Sequence, residues 1–336
     1  MRATPRFGIV AAALALALAG RPSPGGAGDL SGTFIQLNRA AAARTVAQWQ
    51  DDLDQMARVG IRTIIVQWSA EDGIAYFRGD LPDREKHDAL ERLFEAASGR
   101  GLAIHLGLRT RRDYWTQLTA REIVLRDYLL VRVSENEQVQ KALMKQFGKR
   151  PEWAGYYIPD EIDDLNWRTP ERIAIIRGYV GLMCDRLRAN DAKREISVSA
   201  FFRSRTAPHV FARNLLAIAG TNALDHVIVQ DGTGVGDPPP RYTPVYFSEL
   251  SAAWAAPRPD LWCAVEIFEQ QSRGEEGFHA APATFARVEG QIRNAAPHFQ
   301  ELVLFSFLDY MDPDVSEQSA ALYNGFINRA AQPPAR

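Results

Sequence analysis

The chain has 336 residues, of which 46% are hydrophobic and 24% are charged, and its formal net charge is -2. These values are those of an ordinary globular protein and exclude a disordered, collagen-like or coiled-coil chain. Because phosphate binding needs a concentrated basic face, the near-neutral charge argues against a nucleic-acid partner.

The first residues are typical of an export signal. Arg2 and Arg6 give a positive start, residues 9–18 are wholly apolar, and small residues allow cleavage after Ala19. The apolar run is about half of the ~20 residues needed to span a bilayer. We therefore expect a signal peptide over residues 1–19 and a flexible leader to residue 28. The mature protein is then secreted or periplasmic, without stable membrane insertion.

Short apolar runs alternate with amphipathic stretches along the rest of the chain. The predicted strands are Gly32–Leu37, Ile61–Trp68, Leu102–Arg109, Gly155–Glu161, Glu195–Phe202, His226–Asp231, Leu261–Phe268 and Glu301–Asp309. Eight such units without hairpins indicate a parallel sheet covered by helices. No Gly-x-Gly-x-x-Gly turn follows the first strand, which weakens a dinucleotide-binding interpretation. The pattern predicts a single-domain (β/α)8 TIM barrel over residues 29–331.

The predicted helices between the strands are Val46–Arg58, Arg84–Arg100, Pro170–Ala189, Pro208–Ala219, Thr243–Ala255, Thr284–Ala296 and Ser316–Ala330. The connection from Thr110 to Ala154 is unusually long for a barrel and is predicted to hold a helical insertion after strand three. We expect two helices in it, near Ala120–Val131 and Glu135–Phe147.

Two distant predicted strands each deliver a carboxylate near their ends. Glu161 closes the fourth strand and Glu266 lies late in the seventh. In a barrel both strands reach the carboxyl rim, where catalytic residues lie. A pair of facing carboxyl groups is what hydrolysis of a glycosidic bond requires. Side-chain alternation predicts that Tyr157 shares the inward face with Glu161, whereas Asp160 faces the helix layer or the adjacent loop.

We assign Glu161 as general acid/base and Glu266 as nucleophile. Tyr157 and Trp167 are candidates for an apolar wall that keeps Glu161 protonated. Arg109 or a rim tyrosine is a candidate for keeping Glu266 ionised. The alternative for Glu161 is the start of a solvated acidic loop or a helix cap. The alternative for Asp160 is a structural partner of Arg109 or of a loop amide.

Other polar and aromatic residues near the strand ends are candidates for binding substrate. Amides both donate and accept hydrogen bonds with sugar hydroxyls, and aromatic rings stack on sugar faces. Trp115 is a further candidate platform. The predicted substrate-binding residues are Gln36, Gln67, Trp68, Arg109, Tyr157, Asp160, Trp167, Gln230, Asp231, Asp309 and Tyr310.

Other classes of site are disfavoured by their missing motifs. The six histidines show no His-x-His or His-Glu-x-x-His spacing, so we expect no metal and no cofactor. No Gly-x-Ser-x-Gly elbow occurs, which disfavours a serine-type triad. The glycine-rich segment 232–236 leads into prolines and not a helix, so it is interpreted as a flexible rim loop.

Four motifs carry a family resemblance: Gly32-Thr33-Phe34-Ile35-Gln36, Tyr156-Tyr157-Ile158-Pro159-Asp160-Glu161, Val229-Gln230-Asp231-Gly232 and Phe305-Ser306-Phe307-Leu308-Asp309-Tyr310. They resemble the secreted barrels of the domain of unknown function 4434 family, which is regarded as similar to glycoside hydrolases. The chain is more distantly similar to clan A retaining glycosidases. That resemblance implies an acid/base after strand four and a nucleophile after strand seven, the places of Glu161 and Glu266. Asp160 stands where that clan usually has Asn.

The sequence thus predicts a secreted retaining hydrolase acting on a polysaccharide or glycoconjugate. One alternative is a non-catalytic carbohydrate-binding barrel in polysaccharide export or surface assembly. Another is an inverting or lyase-type enzyme that uses Asp160, Asp231 or Asp309.

Overall fold

The computed structural model describes residues 30–254, 259–272 and 278–330, so the predicted signal peptide and leader lie outside the described residues. Eight parallel strands form a closed barrel in chain order. They are β1 (Leu30–Ile35), β2 (Thr63–Val66), β3 (Ala103–Gly107), β4 (Trp153–Asp163), β5 (Glu195–Phe201), β6 (His226–Gln230), β7 (Asp260–Glu266) and β8 (Glu301–Phe305). Strand β8 pairs with β1, for example Leu304 with Thr33, which closes the barrel. The predicted (β/α)8 fold is confirmed.

Alternation along the strands separates two apolar cores. A small cluster fills the barrel and is formed by Phe34, Ile65, Tyr157, Ile228, Trp262, Ala264 and Val303. Their sequence neighbours, such as Ile35 and Ile64, belong to the larger core between the sheet and the helices. This is the packing expected of a barrel whose strands are buried on both faces.

The amino end of the barrel is closed by aromatic and imidazole rings. His226 stacks on Trp262 with ring centroids 4.1 Å apart, and His105 packs edge-on against the same indole. Glu195 approaches His226 at 3.3 Å. Burial lowers the pKa of His105 to about 4, so this histidine is neutral in the folded protein.

Helices cover the outside of the barrel, and their starts follow the signals in the sequence. Thr169 accepts a hydrogen bond from the Arg172 backbone N–H, and Ser316 accepts one from Ser319. The α-helices are Arg39–Ala43, Val46–Arg58, Ala89–Ala97, Tyr114–Gln117, Glu122–Phe147, Pro170–Asn190, Pro208–Ala219, Thr243–Ala253, Phe285–Ala295, Phe307–Tyr310 and Glu317–Ala330. In the described part of the chain, none of these helices has the length and apolar character needed to cross a bilayer.

The prediction of two helices in the insertion is wrong. One continuous helix of 26 residues, Glu122–Phe147, follows the short helix Tyr114–Gln117. No proline or glycine interrupts residues 120–147, so nothing in the sequence ends the helix between the two predicted segments. Arg132, fully buried against the barrel, helps to fix this stretch as helix.

Several predicted strand ends were also too long, because the chain changes structure at the carboxyl rim. Beyond β8, residues Phe307–Tyr310 form a helical turn and not strand. Beyond β2 and β3, the segments Ala70–Glu71 and Arg109–Thr110 pair in a separate small sheet. Strand β4 runs two residues further than predicted, to Asp163.

Candidate active site

Strand β4 sends adjacent carboxyl groups to opposite sides of the sheet. Its register with β5 shifts between Ile158 and Ile162, a bulge that contains Pro159, Asp160 and Glu161. Asp160 points outward and is 2% exposed. Glu161 points inward, where its Oε1 accepts a hydrogen bond of 2.6 Å from Gln230 Nε2. The alternation predicted for this strand is confirmed.

Glu266, at the end of β7, is held by the loop after β6. Its Oε2 accepts hydrogen bonds from the backbone N–H groups of Gly234 at 2.6 Å and Val235 at 3.2 Å. A side chain at Gly234 would overlap Phe268, since an added Cβ would lie 2.8 Å from its ring and its carbonyl oxygen. The segment interpreted as a rim loop is therefore a carboxylate-binding loop, and glycine is needed for its close approach.

A second buried carboxyl group lies behind Glu266. Asp231 Oδ1 accepts from the Glu266 backbone N–H at 3.3 Å, and its Oδ2 accepts from Gln291 Nε2 at 2.6 Å. Gln291 Nε2 also donates to the Glu266 carbonyl oxygen at 3.0 Å. Asp231 is 1% exposed. It thus fixes the end of β7 to the helix Phe285–Ala295.

Glu161 and Glu266 line the same cavity at the carboxyl end of the barrel, which has a volume of about 880 Å³. Gln230 lies on its wall as well. Apolar parts of the lining come from Trp115, Leu165, Phe201 and Phe278, and further charged groups are Asp163, Arg203 and Asp237. This combination of apolar walls with a few polar groups is typical of ligand sites.

The electrostatic surroundings of the two glutamates differ. Burial raises the pKa of Glu161 from 4.5 to about 7, with smaller contributions from Asp163 and Asp160, and the Gln230 amide opposes the shift. Burial and the charge of Asp231 raise the pKa of Glu266, and the two backbone N–H groups oppose that increase. Both carboxyl groups are therefore harder to ionise than exposed ones.

The helical insertion forms one wall of the cavity. Tyr114 donates a 2.8 Å hydrogen bond to the carbonyl oxygen of Glu161, which ties the short helix Tyr114–Gln117 to the end of β4. Trp115 is 44% exposed and packs on Phe201 with ring centroids 5.7 Å apart. An exposed indole at the mouth is a platform on which a sugar ring can stack.

Other predicted residues surround the cavity without lining it. Tyr157 is fully buried in the barrel and donates to Ser199 at 2.9 Å. Tyr310 packs on Phe268 at 5.1 Å, and burial, Asp309 and Glu266 raise its pKa to about 12. Asp309 is hydrogen-bonded to Ser306.

Three more of the predicted residues lie at the ends of β1 and β2. Gln36 Nε2 donates to Gln67 Oε1 at 2.7 Å, so the two amides pair with each other. Trp68 donates its indole N–H to the Leu37 carbonyl oxygen at 2.7 Å.

Four predicted residues lie away from the cavity. Asp160 is bound by Arg132 and Tyr179 from the helix layer, and Asp231 by Gln291 from the helix behind β7. These positions leave Asp309 as the remaining candidate of the inverting or lyase alternative.

Arg109 and Trp167 are the other two predicted residues that lie away from the cavity. Arg109 donates two hydrogen bonds to Asp83, of 2.7 and 2.6 Å, in a separate cleft, and so cannot hold Glu266 ionised. Trp167, which is 1% exposed, packs in the helix layer near Ile162 and Phe211, so it is neither a wall for Glu161 nor a platform.

Sequence reasoning missed the cavity residues that lie in loops. Arg203, Asp237 and Phe278 follow strands β5, β6 and β7 without any periodic pattern around them. One local signal was present: Arg203 and Arg205 are close in sequence and follow an apolar strand. Among residues 30–254, 259–272 and 278–330, no group of three His, Cys, Asp or Glu side chains is arranged to hold a metal ion.

The family model for Domain of unknown function (DUF4434) matches residues 30–317. The chain belongs to this family. It is also similar to the uncharacterized protein YbcH of Escherichia coli (strain K12), with 25% identity over 239 residues, which cover 71% of this chain and 77% of YbcH.

Solved structures of low identity share the fold of this DUF4434 protein. A candidate alpha-L-fucosidase from Bacteroides thetaiotaomicron VPI-5482 is 17% identical, with a TM-score of 0.69 over 96% of this chain and 98% of that one. The endo-1,4-beta-mannanase from Rhizomucor miehei is 10% identical, with a TM-score of 0.54 over 90% and 95% of the two chains. At these identities the likeness establishes the barrel architecture.

Proposed function

We propose that this protein hydrolyses glycosidic bonds in a polysaccharide or glycoconjugate by a retaining mechanism. The observation that carries the proposal is that carboxyl groups from the fourth and seventh barrel strands, Glu161 and Glu266, line one open cavity. The distant similarity to clan A retaining glycosidases implies an acid/base after strand four and a nucleophile after strand seven, and these are the positions of Glu161 and Glu266. The two structural neighbours, named as acting on sugars, add support through their shared barrel.

Glu161 is the general acid/base. With a pKa of about 7 it holds a proton near neutral pH, which it can donate to the leaving glycosidic oxygen. Its only side-chain hydrogen bond within the described residues comes from Gln230, so the other carboxyl oxygen is available to the substrate.

Glu266 is the nucleophile. Its Oε2 is held by two backbone N–H groups, whereas Oε1 accepts no hydrogen bond from the described part of the chain. Oε1 attacks the anomeric carbon as Glu161 protonates the departing oxygen, and a glycosyl ester forms. Glu161 then removes a proton from water, which displaces Glu266 and restores both carboxyl groups.

The test measures release of reducing sugar from a panel of bacterial and plant polysaccharides. Glu161→Gln and Glu266→Gln are each expected to reduce turnover by about 10³-fold or more. Glu269→Gln is the matched control, because Glu269 lies nearby with its side chain 52% exposed and is expected to leave turnover unchanged. Turnover that persists in either of the first two variants refutes the role of that residue.

An activated aryl glycoside separates the two roles. Its leaving group needs little protonation, so Glu161→Gln should retain more of the first step on this substrate than on a polysaccharide. Glu266→Gln should lose both reactions alike, because attack on the anomeric carbon is missing in each case.

A non-catalytic carbohydrate-binding barrel is the second candidate. The raised pKa of Glu266 favours it, since a protonated carboxyl group is a poor nucleophile. The two inward carboxyl groups favour catalysis, because a surface that only binds sugar does not need both of them. Saturable binding without release of sugar by the unmodified protein would support the binding module. The export that residues 1–19 predict is part of the proposal and is tested by fractionating cells for a shortened protein.

A further inference from the structure

Two arginines share one carboxylate at the mouth of the cavity. Arg203 Nε and Arg205 Nη2 both donate to Oδ2 of Asp237, at 3.2 and 3.3 Å. Their side chains are 48% and 46% exposed. At the mouth the two guanidinium groups outnumber the one carboxylate that they share, while the carboxylate of Asp164, which balances the second positive charge, is buried beneath the loop.

The loop that carries the arginines is rigidly held. The carboxylate of Asp164, which is 2% exposed, accepts hydrogen bonds from the backbone N–H groups of Arg203, Arg205 and Thr206, at 2.9, 2.8 and 3.0 Å. Between the arginines, Ser204 has a φ of +53°, a left-handed conformation that is unfavourable for a residue other than glycine. Such conformations persist where the surroundings fix them and cluster at ligand sites.

Arg203 also keeps hydrogen-bonding capacity toward the cavity. It lines the cavity with Glu161 and uses only Nε for Asp237. Its two Nη groups make no hydrogen bond within residues 30–254, 259–272 and 278–330. A planar guanidinium with free amino groups is suited to bind a carboxylate or another oxyanion.

The remaining charges of the cavity give the site a direction. Glu161, Asp163 and Glu266 lie at the ends of β4 and β7 and are acidic, whereas the guanidinium group of Arg203 lies on the loop after β5. An anionic substituent is repelled by these three carboxyl groups when they are ionised and is attracted by the Arg203 guanidinium. A sugar bearing such a group would therefore be oriented with the anion toward Arg203.

We propose that the cavity selects a sugar that carries an anionic group, with Arg203 as its ligand and Asp237 and Arg205 as positioning residues. The chemistry is that of an oxyanion, supplied by the carboxylate of a hexuronate or by a sulfate ester. This inference rests on the proposed function, because it concerns substrate choice at the same two glutamates.

The test measures binding and not turnover, so that it stands apart from hydrolysis. Glu161→Gln protein is titrated with matched ligands that differ only in charge, and the fluorescence of the tryptophans reports binding. The pairs are glucose with glucuronate, galactose with galacturonate and mannose with mannuronate, and glucose 6-sulfate is compared with glucose. We expect at least one acidic sugar to bind about tenfold more tightly than its neutral counterpart.

Added substitutions locate the preference. Arg203→Gln should remove the preference, and Arg205→Gln should weaken it less, since Arg205 acts through Asp237. Arg213→Gln is the control, because this exposed arginine lies on the following helix Pro208–Ala219 and should leave the preference intact.

The outcomes separate the two proposals. A preference for hexuronates assigns a carboxylate ligand, and one for glucose 6-sulfate alone assigns a sulfate ester. If no acidic sugar binds more tightly than its neutral partner, or if Arg203→Gln and Arg213→Gln behave alike, the inference is overturned. A loss of turnover in Glu161→Gln would still support the proposed hydrolase in that case, because that result does not depend on the charge of the sugar.

Discussion

Asp160 and Glu161 are neighbours in the chain but have opposite environments. The Asp160 carboxylate meets the fully buried Arg132 and the hydroxyl of Tyr179, so its charge is compensated on the helix side of the sheet. Within the part of the chain that the structure describes, the Glu161 side chain has one hydrogen-bond partner, the neutral amide of Gln230. A buried carboxyl group without a cation costs stability and is retained where chemistry needs it. Asp160 is buried and paired with a cation, whereas Glu161 is half-buried and is not, and these differences distinguish the structural acid from the candidate catalytic one.

The largest effect on stability is expected at Asp160, whose charge is compensated by Arg132. Asp160→Asn removes the more deeply buried of the two carboxylates that pair with Arg132, the other being Glu135, and should lower the free energy of unfolding by about 3 kcal/mol. Urea denaturation at pH 8 measures it. Asp127→Asn makes the same change at an exposed position on the helix Glu122–Phe147 and should have little effect. An equally small loss at Asp160 would contradict the structural role of the ion pair.

Glu161→Gln should raise the free energy of unfolding instead of lowering it, and the size of this effect should depend on pH. Since the pKa of Glu161 rises on folding from 4.5 to about 7, the folded state binds the extra proton between these values. The stability of the unmodified protein therefore falls as the pH rises through this range. The variant should gain about 2 kcal/mol relative to the unmodified protein at pH 8 and nothing at pH 4. A gain that does not change with pH would show that burial does not perturb this carboxyl group.

The smallest effect concerns the Gln230 amide. Its hydrogen bond favours the ionised form of Glu161, so Gln230→Ala should raise the pKa of the acid further. The alkaline limb of the kcat/KM profile should then move up by about half a pH unit, as expected for the loss of one hydrogen bond. Gln270→Ala, on the same cavity, should leave the limb in place. A downward shift would assign Gln230 a different role.

The sequence predicted the barrel well because each strand is an apolar run between turn signals. Glu161 and Glu266, which line one cavity, were selected for a related reason: a charge late in such a run is costly unless it has a function. Trp167 and Arg109 were misplaced, since their partners Phe211 and Asp83 are distant or aperiodic in sequence. The Gly234 contact with Glu266 depends on how a loop folds back, and no local pattern encodes it. Rim geometry is set by tertiary contacts that short-range periodicity does not carry.

The rings that close the amino end of the barrel have a consequence for any polymer that binds. His226 stacks on Trp262 at the amino end of the barrel, and side chains such as Phe34 and Ile228 fill its interior. The cavity at the carboxyl end is therefore closed at its floor. A long chain cannot be threaded along the barrel axis, so it has to lie across the mouth. Under the proposed function, each product must leave through the opening by which the substrate entered.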